Sequence, residues 1–198
     1  MKIIFSHGKE SGPWGNKIAA LAEVAKTLDA GVEIEVESID YTKTMDPNRR
    51  VEILTQNLNR DDLILVGSSM GGYVSASAAQ KYQVRGLFLM APAFYMPGYD
   101  SQEFNSIHCP VTVIHGWGDE IIPYQHSVRF AQEQMANLII VNSDHGLTSA
   151  LLPLTSYFRL FLLEIVNKNK FPSVLISPSG STRRKIGVPS KPPGVSTA

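Results

Sequence analysis

This 198-residue sequence has a single cysteine, no excess of either charge and no long apolar run, and each shortage removes a class of protein. Cys109 has no partner in the chain, which excludes an internal disulfide and fits a reducing compartment. Basic and acidic residues number eighteen each, so neither nucleic acid nor an acidic membrane surface is expected as the main partner. No apolar stretch approaches the roughly 20 residues of a membrane span, and no membrane insertion is expected. Met1 to Phe5 is too short for the apolar core of a signal peptide and runs straight into His7-Gly8. The expected location is the cytoplasm. The five histidines lack the paired spacing of a metal site, so neither metal nor cofactor is expected. No repeat recurs at a fixed period.

What the chain does contain centres on Gly67-Ser68-Ser69-Met70-Gly71. The apolar run Leu63-Ile64-Leu65-Val66 before it reads as a buried strand. The small residues from Gly72 to Ala79 after it read as a helix packed on a sheet. Gly-x-Ser-x-Gly between strand and helix is the nucleophile-elbow pattern. The serine must sit exposed at the tip of a strained turn, where side chains two positions before and after would collide. A plain Gly/Ser turn has the same composition, so the pattern draws its meaning from the flanking strand and helix.

Strand and helix signals alternate along the rest of the chain. Lys2 to Ser6 reads as a strand. Trp14 to Leu28 carries Ile18, Leu21, Val24, Ala25 and Leu28 at helical spacing. Val32 to Glu37 alternates strictly, the pattern of a strand with one wet face near a sheet edge. Asp46-Pro47 reads as an N-cap and a first-turn proline opening a helix through Val51, Leu54 and Leu58. Gly86–Met90, Val111–Ile114 and Leu138–Val141 are further buried strands. Helices are expected from Tyr124 to Met135 and from Leu154 to Val166. Such βα alternation with near-continuous apolar strands implies a mostly parallel sheet covered on both faces, folded as one domain over residues 1–167. Residues 168–198 hold six basic residues, no acidic one and five of the twelve prolines, the composition of a disordered tail. The first 167 residues hold twelve basic and eighteen acidic residues, a formal charge of −6.

Ser69, Asp119 after His115-Gly116-Trp117-Gly118, and His145 in Ser143-Asp144-His145-Gly146-Leu147 follow in the order Ser, Asp, His, each just past a predicted strand. In this the chain resembles the α/β-hydrolase superfamily, and within it small lidless bacterial serine esterases and thioesterases. The resemblance spans about residues 2 to 166. It implies a sheet of about six strands, lacking the first two of the full family sheet, with the 63–66 strand beside the 2–6 strand. It also implies a catalytic triad of Ser69, His145 and Asp119. A serine hydroxyl needs a base within reach, and histidine takes and returns a proton near neutral pH. Asp144 adjoins His145, but neighbouring side chains on an extended segment point to opposite faces, which favours Asp119 as the histidine's support. His115 is expected to orient the Asp119 loop, and His7 to serve structure or line the site. His108 and His126 are expected to be ordinary surface or packing residues.

The oxyanion donors implied are the backbone N–H groups of Met70, directly after the nucleophile, and of Lys9 in Ser6-His7-Gly8-Lys9, which resembles the family's His-Gly-x segment. The family usually has an apolar or aromatic residue where Lys9 stands. Fewer than twenty residues separate Pro92 from Val111, too few for a substantial lid. Phe94 and Tyr95 there, with Trp14, Trp117 and Leu147, are candidates for the wall of an acyl pocket; an aromatic cluster is equally normal in a core. The function expected is a serine hydrolase acting on a small-molecule ester or thioester of a small acyl group, through an acyl-enzyme on Ser69. A peptidase or a carbon–carbon bond hydrolase would use the same triad. The alternative from another class is a non-catalytic α/β-hydrolase-like module that binds a small molecule or a protein.

Overall fold

The computed structural model describes residues 1–170. Six strands form one sheet in the order β2-β1-β3-β4-β5-β6, and every neighbouring pair is parallel. In chain order the elements are β1 (Lys2–Ser6), α1 (Asn16–Lys26), β2 (Glu35–Ile39), α2 (Pro47–Gln56) and β3 (Leu63–Ser68). There follow α3 (Met70–Ala79), β4 (Gly86–Met90), β5 (Val111–Gly116), α4 (Tyr124–Gln134), β6 (Asn137–Val141) and α5 (Leu151–Lys170). Between β4 and β5 the chain forms neither helix nor strand, so this connection forms no long lid, and its Phe94 and Phe104 are buried.

Successive strand residues point to opposite faces, and both faces are apolar, which is why the strands read as unbroken runs. Ile3, Phe5, Ile64, Val66, Phe88 and Met90 pack beneath α1 and α5. Ile4, Leu63, Leu65, Leu87, Leu89 and Val113 pack beneath α2, α3 and α4. The interior strand β3 is buried along its whole length. The two edge strands, β2 and β6, are half-exposed.

Boundaries differ from the sequence pattern where a partner decides them. Strand β2 covers Glu35–Ile39 rather than 32–37, because it pairs residue for residue with Lys2–Ser6 of β1. The Asp46 carboxylate accepts the Asn48 and Arg49 amides at 2.8 and 3.3 Å, capping α2 with Pro47 in its first turn. Helix α5 begins at Leu151, three residues before the expected start, with Pro153 in the first turn where no N–H is needed. It runs to Lys170, past the boundary expected at residue 167; the rest of the expected tail, 171–198, lies outside the described residues. Among the described residues, no helix is long and apolar enough to cross a membrane.

Because all six strands run the same way, their carboxyl ends share one edge of the sheet. The loops after β1, β3, β5 and β6 therefore converge there, where open parallel sheets commonly place their ligand sites.

Candidate active site

Ser69 stands between the end of β3 and the start of α3 with φ 55° and ψ −122°, a conformation costly for a residue with a side chain. The turn is pinned from several sides. Ser69 N–H donates to the Met90 carbonyl at 2.9 Å, and the Ser69 carbonyl accepts the Gly72 and Ala93 amides at 2.9 and 3.0 Å. The flanking glycines are required by space. A Cβ on Gly67 would lie 2.3 Å from the Gly71 carbonyl oxygen, and one on Gly71 would lie 2.0 Å from that of Ser6. The elbow thus presses directly against the end of β1.

From the loop after β6, His145 reaches Ser69. Its Nε2 is 3.0 Å from Ser69 Oγ, and its Nδ1 is 2.7 Å from Asp119 Oδ2. A carboxylate only accepts, so Nδ1 carries the proton and Nε2 offers its lone pair to the serine hydroxyl. The Asp119 side chain is fully buried and has four donors around it. Oδ1 accepts the Ile121 and Ile122 amides at 2.9 and 2.8 Å; Oδ2 accepts His145 and, at 2.9 Å, His115 Nε2. Burial by itself raises the Asp119 pKa, but the Ile122 amide, His145 and the Ile121 amide outweigh it and hold the carboxyl below its usual range. His115 is fixed in turn: Nε2 also faces the Ile122 carbonyl at 3.0 Å, and Nδ1 meets the Ser127 hydroxyl at 2.7 Å. Burial lowers its pKa and keeps the ring neutral. Asp144 is exposed, and its carbonyl accepts the Leu147 amide at 3.2 Å, closing the turn that carries His145.

The loop after β1 lies against the elbow: a Cβ on Gly8 would be 3.4 Å from that of Ser69. Its conformation depends on two side chains. His7 Nδ1 donates to the Gly8 carbonyl at 2.7 Å while Nε2 accepts the Tyr41 amide at 2.9 Å, which settles the neutral tautomer. Burial lowers the His7 pKa, and nearby Arg50 adds to the shift.

Arg50, from the first turns of α2, is fully buried, and its guanidinium is surrounded by carbonyls. It donates to Gly8 at 3.0 Å, to His7 and Lys9 at 3.3 Å each, to Tyr41 at 3.4 Å and to Thr44 at 2.9 Å. The Gly8 carbonyl shares a planar peptide with the Lys9 N–H, and in a trans peptide the two point in opposite directions. Drawing that carbonyl toward Arg50 and His7 therefore turns the Lys9 N–H away from them. Neither the Lys9 nor the Met70 amide donates to a protein acceptor among the described residues, and both residues line the cavity over Ser69.

That cavity, of about 670 Å³, is lined by Ser69, His145 and the β1 loop, by Ala93, Met96, Pro97 and Tyr99 of the β4–β5 connection, and by Ile121, Ile122 and Lys17. The five aromatic and apolar wall candidates all lie elsewhere. Phe94 turns into the core and stacks on Phe130 at 4.2 Å, and Leu147 is fully buried in the opposite core. Tyr95 donates to Glu133 at 2.7 Å with Arg129 above its ring. Trp14 and Trp117 are half-exposed, Trp117 edge-on to Tyr124. The β4–β5 connection does form a wall, with different residues, because its first aromatic is drawn inward by the core. Arg50 and Lys17 escaped the sequence reading. Each stands four residues before a core leucine, Leu54 and Leu21, so a charged residue on an apolar helical stripe was the available signal.

Comparisons with known proteins give the chain its family and its fold. The uncharacterised protein family UPF0227 matches residues 2–105. A protein from Xanthomonas campestris pv. campestris, described as belonging to the α/β hydrolase superfamily, is 30% identical with a TM-score of 0.73; the match covers 82% of this chain and 98% of that one. Est1E from Butyrivibrio proteoclasticus has 18% identity and a TM-score of 0.66, over 84% of this chain and 88% of its own. Alpha/beta hydrolase domain-containing protein 10 from mouse has 20% identity and a TM-score of 0.62, over 85% and 90%. At those identities the last two show a shared fold. No curated protein matches the sequence.

Proposed function

We propose a serine-hydrolase function for this chain, which belongs to the α/β-hydrolase superfamily and to the uncharacterised protein family UPF0227. The observation that carries the reading is the unbroken line from Ser69 Oγ to His145 Nε2 at 3.0 Å and from His145 Nδ1 to Asp119 Oδ2 at 2.7 Å. A binding module would need neither the strained elbow nor a carboxylate with four donors behind the histidine.

The substrates are carboxylic esters or thioesters of small acyl groups. His145 Nε2 takes the Ser69 proton as Oγ attacks the acyl carbonyl, and the imidazolium is stabilised by Asp119. The Met70 and Lys9 amides receive the oxyanion, as donors already in place cost no reorganisation when the charge develops. Collapse of the tetrahedral intermediate passes the proton from His145 to the leaving oxygen or sulfur and leaves Ser69 acylated. Water, deprotonated by His145, then attacks the ester; the acid departs and Ser69 regains its proton. The open cavity over Ser69 supports short acyl groups, since methylenes beyond its walls gain none of the usual ~0.8 kcal/mol each.

A fluorophosphonate probe tests the nucleophile, and a panel of acyl esters and thioesters of graded length tests the substrate class. Ser69 is the expected label site, and Ser69→Ala should abolish labelling and lower turnover roughly 10⁴- to 10⁶-fold. Persistent labelling of the folded Ser69→Ala variant, or catalytic efficiency rising steadily to long chains, would overturn these assignments.

A further inference from the structure

Lys17 is a half-buried cation in the wall of the cavity that holds Ser69 and His145. Its Nζ has one hydrogen-bond acceptor among the described residues, the main-chain carbonyl of His145, at a long 3.4 Å. Among the described residues no carboxylate lies within ion-pair distance of it. Asp119 and Asp144 are near enough to favour its charge, but Asp119 already accepts four donors and Asp144 is exposed. Burial works against the charged amine and lowers its pKa. An ammonium has three protons to place, and taking it partly out of water without an anionic partner is unfavourable. The charged residues Lys9 and Glu10, both exposed, also line the cavity, so its overall field is mixed. A mixed field steers weakly, which leaves short-range contact as the source of any charge selectivity, and Lys17 is the partly buried cation in the wall.

We propose that Lys17 is an anion subsite of this active site, selecting substrates that carry a carboxylate or phosphate a few atoms from the scissile acyl carbon. This rests on the serine-hydrolase reading for its kinetic consequences, but the contact itself does not depend on turnover. Because Lys17 approaches the chain at His145 itself, a substrate anion seated on it stays within reach of the reacting bond. A charge-assisted hydrogen bond of this kind corresponds to about a tenfold to hundredfold preference over a neutral analogue.

The test compares a dicarboxylic monothioester with a neutral monocarboxylic thioester of equal length. A second arm compares thioesters whose thiol leaving group does or does not carry a phosphate. In at least one arm kcat/KM should favour the anion about tenfold or more, and raised salt should shrink the preference. The arm that responds tells whether the anion belongs to the acyl or the leaving group. Lys17→Met keeps the apolar stem and should erase the preference, lowering kcat/KM about tenfold or more further on the anionic substrate than on the neutral one. Equal losses on charged and neutral substrates would show that Lys17 merely braces the His145 loop, and would overturn the proposal. So would a preference that survives Lys17→Met, or no preference in either arm. Calorimetric titration of the same thioesters into Ser69→Ala, with and without Lys17→Met, separates the two readings. Charge-selective binding that needs Lys17 without wild-type turnover would leave the subsite standing and remove the hydrolase.

Discussion

Replacing Asp119 by asparagine exchanges one oxygen for an amino group, and the structure determines which oxygen is lost. Oδ1 faces the Ile121 and Ile122 amides, which are main-chain donors and cannot change role. Oδ2 faces His145 Nδ1 and His115 Nε2, and an imidazole can move its proton to the other nitrogen. The asparagine carbonyl will therefore stay with the two amides and present its NH2 group to the histidines. His145 must then accept at Nδ1 and carry its proton on Nε2, 3.0 Å from Ser69 Oγ, where it can no longer receive the serine proton. A wrong tautomer of this kind costs about 10³- to 10⁴-fold in kcat, equivalent to roughly 4–5.5 kcal/mol of transition-state stabilisation. Loss of the charge-assisted contacts should cost about 2 kcal/mol of stability, or roughly 4–8 °C in Tm for a domain of this size, leaving the protein folded. The assay is kcat on a short acyl ester, with ¹⁵N NMR of His145 reporting the tautomer and circular dichroism reporting the fold. Asp144→Asn is the control and should stay near wild type, because Asp144 acts through its main-chain carbonyl. A folded Asp119→Asn variant within tenfold of wild type, or one more active than Asp144→Asn, would refute the reasoning.

Arg50→Met leaves the carbonyls of His7, Gly8 and Lys9 without their shared donor, so kcat should fall about tenfold to hundredfold with little change in KM, and Arg50→Lys should recover part of it. Steady-state kinetics on the folded variants decides this, and an unchanged kcat in Arg50→Met would mean that the loop holds its shape without the guanidinium. Acid should destabilise the protein, since burial lowers the pKa values of His7 and His115 below the ordinary histidine value of ~6.5. Their contribution is complete above the unfolded pKa of ~6.5 and is lost as pH falls toward the folded values; Asp119, also lowered, adds a further loss at more acid pH. Tm measured from about pH 8 down to about pH 5 should fall, with a shallower slope in His115→Gln; a Tm that rises on acidification would contradict the assignment of buried neutral imidazoles.

Much of this molecule follows from local pattern. The apolar runs, the Asp46-Pro47 helix start and Gly67, whose missing side chain makes room for Gly71 and Gly72, are statements about the backbone within a few residues, so the six-stranded sheet and the strained turn at Ser69 were legible directly; Gly71 answers as well to the Ser6 carbonyl of β1, far away in sequence. The order of Ser69, Asp119 and His145 was legible for a related reason: a parallel sheet gathers every strand's carboxyl end at one edge, and each of the three follows a recognisable strand. What could not be read was anything decided by partners distant in sequence. The start of β2 was set by its register with β1, and Phe94 left the expected pocket wall because Phe130 and Phe104 offered a core to enter. Arg50 looked like one more helical charge until the fold brought five carbonyls around it, from residues up to 43 positions away. Lys17 likewise became a cavity residue only when α1 was laid beside the His145 loop, 128 positions further along the chain. Periodicity along the chain determines which elements form and which face is apolar. The surroundings of a single polar side chain depend on packing between elements, and only the tertiary structure decides that.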